Sequence, residues 1–254
     1  MRNIQLPKVL ILSLPKSGTN LLMQVIQGIP TLTYRNGNDS LTLNQLYSMK
    51  PGDIWSGHND YTKAFHRKLI ECNVKVIYIS RDPRDVAVSY THFLEKIHTT
   101  PPLAKYLRLL PTHQERLLTV IRGVRPAPEM VKESGLTLRR NIIEVSKPSY
   151  LWIEQPGICA VTFEEMMESK ERQYKTVERI AVHLFPELRD NHLLRKNLVR
   201  QMINNINPKK SWSFRSGRIG DWKSEFKPVH KSAFKQIGGG NLLMKLGYEK
   251  DLYW

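Results

Sequence analysis

Cysteine is nearly absent. The 254-residue chain has two, Cys72 and Cys159. Two thiols are too few for a cysteine-based metal site, and each stands near or inside an apolar segment, so buried free thiols are expected rather than a disulfide staple. Long apolar runs are missing as well. No stretch approaches the roughly 20 residues of a membrane-spanning helix, so no membrane span is expected. The opening "MRNIQLPKVLILSLPKSG" holds one short apolar run, broken by Pro15 and Lys16 and without a small-residue cleavage site. It makes a poor secretory signal, and a reducing, cytoplasmic location is expected. There is no internal repeat and no low-complexity tract. Acidic residues are scarce: 23 Asp and Glu face 39 Lys and Arg, for a formal charge of +16. Such a surface favours anionic partners, whether nucleotide, sulfated or phosphorylated substrate, nucleic acid or acidic membrane. The basic residues are scattered and no recognition-helix or RNA-binding signature is present, so nucleic acid is not the expected partner.

What is present has the composition of an ordinary soluble protein, 41% hydrophobic and 24% charged. A chain of this length buries a core without a staple. "KVLILSL" (8–14) is a short continuous apolar run, the pattern of a strand buried on both faces. Leu22, Val25, Ile26 and Ile29 then recur at helical spacing, which starts a helix near Thr19. "GDIWSGH" (52–58) reads as a strand, "YTKAFHRKLIEC" (61–72) as a helix, and "VKVIYIS" (74–80) as the clearest strand. In "RDPRDVAVSYTHFLEKI" (81–97), Asp82 suits an N-cap, Pro83 the first helical position and Asp85 a capping-box acid. Val86, Tyr90, Phe93, Leu94 and Ile97 share one face of that helix. "ICAVTF" (158–163) is a further buried strand, "EEMMES" opens another helix, and "QIGGGN" (236–241) reads as a flexible joint. Repeated strand–turn–helix units predict an α/β fold, a single domain over 1–254 with a central parallel β-sheet flanked by helices. Residues 99–155 read as mostly helical and are the expected acceptor-binding part.

Three stretches carry chemistry. In "LPKSGTN" (14–20) a strand is followed at once by a cation, two hydroxyls and a glycine. A helix beginning at Thr19 turns free N–H groups and a partial positive charge toward that loop. Gly18 admits close backbone approach, Ser17 and Thr19 supply hydroxyl donors, and Lys16 adds a full charge, which makes a phosphate cradle. The plain alternative is an ordinary turn with a Ser or Thr N-cap and a solvated lysine. The nucleoside-triphosphate loop G-x-x-x-x-G-K-[ST] is not this motif, because here lysine precedes glycine, and no strand ends in an acid suited to Mg²⁺. Kinase or ATPase chemistry is therefore disfavoured. In "YISRDPRDVAVSY", Arg81 leaves a strand end and Ser89 lies on the next helix, a second candidate phosphate grip beside the alternative of solvated arginines. "FRSGRIGDWKSEF" (214–226) is a basic loop with Arg215, Gly217, Arg218 and Gly220, ending on Trp222.

In order and spacing these stretches resemble the sulfotransferases that use 3′-phosphoadenosine 5′-phosphosulfate (PAPS). The resemblance implies a P-loop-like sulfotransferase fold and sulfuryl transfer from PAPS to a hydroxyl acceptor by in-line displacement, with no metal. "PKSGT" would take the 5′-phosphosulfate through Lys16, Ser17, Gly18, Thr19 and Asn20. Arg81 and Ser89 would take the 3′-phosphate, and Arg215, Ser216 and Gly217 in the late loop would complete that site. Lys16 would contact the bridging oxygen and stabilise the leaving nucleotide. His58, in "WSGHND", falls where the family keeps its catalytic base. A histidine suits that task, having a near-neutral pKa.

The chain departs from the family pattern at four places. Ser56 replaces a lysine two residues before the histidine, and Ser216 replaces the lysine of an arginine–lysine pair. Phe163 replaces a tyrosine near the adenine, and Leu21 a tryptophan that stacks on it. The phosphate contacts are intact while the adenine contacts are altered. The acceptor class stays open among a small alcohol or phenol, a glycan and an acyl chain on a carrier protein, as does the oligomeric state. The remaining histidines, 66, 92, 98, 113, 183, 192 and 230, have no ligand spacing, and helical-surface or capping roles are expected for each.

Overall fold

The computed structural model describes residues 6–37 and 39–254; the first five residues of the opening stretch, read above as a poor secretory signal, lie outside the described residues. In chain order the elements are β1 (Lys8–Ser13), α1 (Thr19–Gln27), β2 (Thr33–Gly37), α2 (Leu43–Tyr47), β3 (Asp53–Gly57), α3 (Lys63–Glu71), β4 (Val74–Ser80), α4 (Pro83–Lys96), α5 (Pro102–Leu109), α6 (His113–Arg122), α7 (Pro128–Ser134), α8 (Ile142–Tyr150), β5 (Ile158–Thr162), α9 (Phe163–Met167), α10 (Lys170–Leu184), α11 (His192–Asn204), α12 (Trp222–Glu225), α13 (Pro228–Gln236) and α14 (Gly239–Lys245). They group into two compact units. One holds the described residues through Arg81 together with Pro148–Gly217, the other Asp82–Lys147 with Arg218–Trp254.

The first unit is the α/β part. Its sheet has the order β2-β3-β1-β4-β5, and every pairing is parallel. Strand residues alternate between faces, and the cores follow that period of two. Val9, Ile11, Ile77 and Ile79 pack with Leu22, Val25 and Ile26 of α1 and with Ile180 of α10 and Val199 of α11. Leu10, Leu12, Val76 and Tyr78 point the other way, onto Leu46, Phe65, Leu69 and Trp152. Each fully buried aliphatic side chain contributes about 1.5–3 kcal/mol, so covering both faces fixes the register strongly. Cys159 is buried and Cys72 only half-buried; both are free thiols. Burial pushes the Cys159 thiol up to about 11, with Arg179 opposing, so it is inert at neutral pH.

The strand at 33–37 escaped the sequence reading. "TYRNG" has no apolar run because β2 is an edge strand. Its Arg35 reaches Asp53 of β3 at 3.5 Å.

The second unit is helical among the described residues, apart from one antiparallel bridge between Val124 and Arg139. Residues 99–155 are mostly helical, as the sequence implies. The start of α4 is buried all round rather than on one face, and Ile97, expected on that face, is exposed. Arg84 is not solvated. It is 2% exposed, bonded to Asp82 and Glu249, and lies over the rings of Trp222 and Trp254 at 3.7 and 4.6 Å. The "GGG" segment is no flexible joint. Gly239 and Gly240 are buried residues of α14, where a Cβ on Gly239 would stand 2.2 Å from the Phe234 ring. Among the described residues no helix is long and apolar enough to cross a membrane.

Candidate active site

In a parallel sheet, the loops at the carboxyl ends of the strands flanking a switch in strand order form a crevice. β1 lies between β3 and β4, so the residues that follow these three strands are neighbours. Leu12 pairs with Gly57. The next residue on each strand is therefore Ser13 and His58, and His58 Nδ1 lies 2.8 Å from the Ser13 carbonyl oxygen. A carbonyl only accepts, so Nδ1 carries the proton, and neutral His58 presents an unprotonated Nε2. The Ser13 hydroxyl, 3.2 Å from Nδ1, sits 2.6 Å from the Thr19 hydroxyl and links the histidine to the loop after β1. The side chain of the neighbouring Asn59 bonds both backbone groups of Leu41.

The loop itself is not an ordinary capped turn. The N-cap of α1 is Gly18, at φ 108°, and no side chain caps the helix. Its first N–H groups are thus left for a ligand. A Cβ on Gly18 would stand 2.9 Å from Phe163 and 3.0 Å from Ile79, so only glycine brings the backbone this close to the sheet. Ser17 is fully buried, and its hydroxyl has no hydrogen-bond partner among the described residues. Lys16 adopts φ 72°, a left-handed conformation costly for a side-chain-bearing residue. Its ammonium is half-buried, and donates to the Ser213 carbonyl at 3.4 Å. Burial, with Arg81 and Arg215 adding repulsion, lowers its pKa to about 8. The lysine is therefore only partly solvated.

Arg81 follows β4 and is 6% exposed. Its guanidinium reaches the Lys16 carbonyl at 3.5 Å and stacks 4.3 Å over the ring of Phe163. The Tyr150 hydroxyl donates to the Arg81 carbonyl at 2.7 Å and pins the strand end. Phe163 opens α9 instead of ending β5. Asn20 ties α1 to the late loop by donating to the hydroxyls of Ser211 and Ser213 at 3.0 and 2.9 Å. Arg215 is exposed, whereas Ser216 and Gly217 are half-buried, Gly217 at φ 65°. Lys16, Ser17, Gly18, Thr19, Asn20, His58, Arg81, Phe163, Arg215, Ser216 and Gly217 all belong to the first unit. Ser89 is buried on α4 of the second.

Residues 6–244 match the family model for the sulfotransferase domain. The chain belongs to the sulfotransferase family. Its curated relatives agree. It is 26% identical to mouse "Sulfotransferase 1E1" over 250 residues, covering 90% of this chain and 81% of that one. It is 24% identical to dog "Sulfotransferase 1B1" over 268 residues, with the same coverage. Among solved structures, mouse sulfotransferase SULT7A1 complexed with PAP superposes with a TM-score of 0.64 at 19% identity, covering 95% of this chain and 88% of the other. Retinol dehydratase in a complex with retinol and PAP gives 0.53 at 18% identity, covering 93% and 82%. The sulfotransferase fold and sulfotransferase activity thus agree with the sequence reading.

Within this sulfotransferase, sequence motifs missed several supporting groups. Ser13, which fixes the His58 ring, and Tyr150, which fixes Arg81, become visible only through strand register and long-range packing. Asp85 is more than a helix-start acid: its two carboxylate oxygens accept from the backbone N–H groups of Gly220 and Trp222 at 2.7 and 3.0 Å. The histidines are also less peripheral than expected. His66 is buried on the Pro156 carbonyl at 3.1 Å, and His230 is fully buried, near the Gln114 carbonyl at 2.9 Å.

Proposed function

We propose that this sulfotransferase moves the sulfuryl group of PAPS to a hydroxyl acceptor, with His58 as general base and Lys16 stabilising the leaving group. The observation that carries the reading is the His58–Ser13 hydrogen bond, which leaves Nε2 as a base beside the phosphate-type loop. The neighbouring solved structures are complexes with PAP, the bisphosphate left when PAPS gives up its sulfuryl group, which supports PAPS as the donor. The residues fit such a group: an uncapped helix N-terminus, a glycine at φ 108° that lets the loop backbone close against Phe163 and Ile79, and a buried hydroxyl without a partner among the described residues.

PAPS supplies a sulfuryl group already activated by a phosphate leaving oxygen. His58 Nε2 accepts the acceptor's hydroxyl proton as the new S–O bond forms. Lys16 and the N–H groups at the start of α1 hold the negative charge that collects on the departing phosphate oxygen, an interaction stronger in the transition state than before it. Ser17, Thr19 and Asn20 position the 5′ side. Arg81 and Arg215 supply the positive charge for the 3′-phosphate, with Ser216 and Gly217 beside them and Phe163 supporting the Arg81 plane. Ser89 joins that set on the family motif alone. The helical stretch 99–155 is the proposed acceptor-binding part. Retinol and androsterone, the ligands named with the retinol dehydratase structures, are alcohols, which supports a hydroxyl acceptor.

The test has two arms. Adenosine 3′,5′-bisphosphate raises the melting temperature, because a ligand of the folded state stabilises it, and adenosine 5′-phosphate does so much less. Equal shifts remove Arg81, Ser89 and Arg215 from a 3′-phosphate site. A panel of alcohols, phenols, glycans and carrier-bound hydroxyacyl chains with labelled PAPS then identifies the acceptor by a mass gain of one sulfuryl group.

A further inference from the structure

Away from this site, the second unit gathers two histidines and two glutamates from three helices. His92 lies on α4, His113 opens α6 and Glu225 ends α12. One Glu225 oxygen is 2.9 Å from His92 Nε2, and the other is 3.0 Å from His113 Nε2. The two rings stack at 4.4 Å and 20°. On their far side, both oxygens of Glu95 lie 2.9 Å from His113 Nδ1, and one lies 3.6 Å from His92 Nδ1. Arg116 holds Glu95 at 3.3 Å.

We propose that His92, His113 and Glu225 form a binding site for a zinc-type divalent cation. Three observations point the same way. A ligand atom from each residue lies within 4.8 Å of the others, so side-chain motions of about an ångström close them to the 2.0–2.2 Å bonds of such an ion. His113 has carboxylate oxygens at both ring nitrogens. A neutral imidazole carries one N–H and satisfies one of them, so a second positive species belongs at the Nε2 edge. Protonating His113 alone would also fill both of its edges; binding of metal tells the two apart. One divalent ion serves the Nε2 edges of both rings at once and leaves the His113 Nδ1–H on Glu95, 2.9 Å away, with His92 Nδ1 facing the same carboxylate at 3.6 Å. An outer carboxylate of that kind orients metal-bound histidines and raises their basicity.

Two imidazoles and a carboxylate suit zinc and its first-row neighbours and are poor ligands for magnesium. All three residues are half-buried, so an ion has a route in from solvent. Its effect is structural: it ties α4, α6 and α12 together.

The test uses the full chain after dialysis against chelator, with the metal alone as probe. Co²⁺ added to the wild type is expected to give visible absorption bands of a low-coordinate site at one ion per chain, displaced by Zn²⁺. Zn²⁺ is expected to raise the melting temperature and Mg²⁺ to leave it unchanged. Glu225→Gln is expected to abolish the bands, and Glu95→Gln to weaken binding on the order of 10–100-fold, the usual effect of losing an outer partner. His192→Ala, at an exposed site, should change nothing. Wild type without Co²⁺ bands, or a folded Glu225→Gln variant that keeps them, overturns the proposal. The wild-type titration decides even where a variant fails to fold.

Discussion

The ring of His58 is oriented by the main chain of Ser13, its Nδ1 lying 2.8 Å from that carbonyl oxygen. Because β1 and β3 pair in register, the orientation is a property of the sheet and does not wait for a ligand. Neutral His58 should therefore populate the Nδ1–H tautomer in the ligand-free protein. Nitrogen chemical shifts of the ring check this: Nδ1 should read as protonated and Nε2 as bare. The opposite pattern would remove the base from its place.

Lys16 links stability to pH with a definite sign. Its folded-state pKa is about 8, below the ordinary 10.5, chiefly through burial and then through Arg81 and Arg215. The unfolded chain thus holds more protons between these values, so this residue's destabilising contribution is full below pH 8 and fades as pH rises toward 10.5. Lys16→Met removes the buried charge. At pH 7 the ligand-free variant should melt higher than wild type, by on the order of 2–4 °C for each kcal/mol relieved. That advantage should shrink in titrations to higher pH. Its turnover should fall more than its affinity for the bisphosphate. A variant that is less stable at pH 7, or that turns over normally at saturation, contradicts this role.

Gly18→Ala should be severe. The position has φ 108°, and the new methyl would press on Phe163 and Ile79. Strain and overpacking together cost about 2 kcal/mol or more. Denaturant unfolding should report that loss, and calorimetry a matching loss of bisphosphate binding. A stable variant with unchanged affinity would mean that the loop relaxes freely.

Much of the first unit was legible because its strands are buried on both faces. "KVLILS" and "VKVIYIS" are short, largely apolar runs, a pattern that a strand buried on both faces demands. β2 was not legible, since an edge strand has no such demand on its side chains. The glycines that open α14 misled for a related reason: a glycine that loosens a loop and one that admits an aromatic ring look alike in sequence. The phosphate-type loop could be read because its parts are contiguous. The partners that orient it could not. Ser13 and His58 are 45 residues apart, and Asp85 and Gly220 are 135 apart. His92, His113 and Glu225 come together only through the packing of three helices, which no local spacing records.

The most direct test of the proposed chemistry is the saturated turnover of His58→Ala with PAPS and an alcohol whose hydroxyl is not already acidic. Losing a general base should lower kcat by about 10²–10⁴. Bisphosphate affinity should stay near wild type, because no phosphate contact is removed, and His192→Ala should be unaffected. Near-normal turnover by His58→Ala would contradict the assignment and leave proton removal to another group.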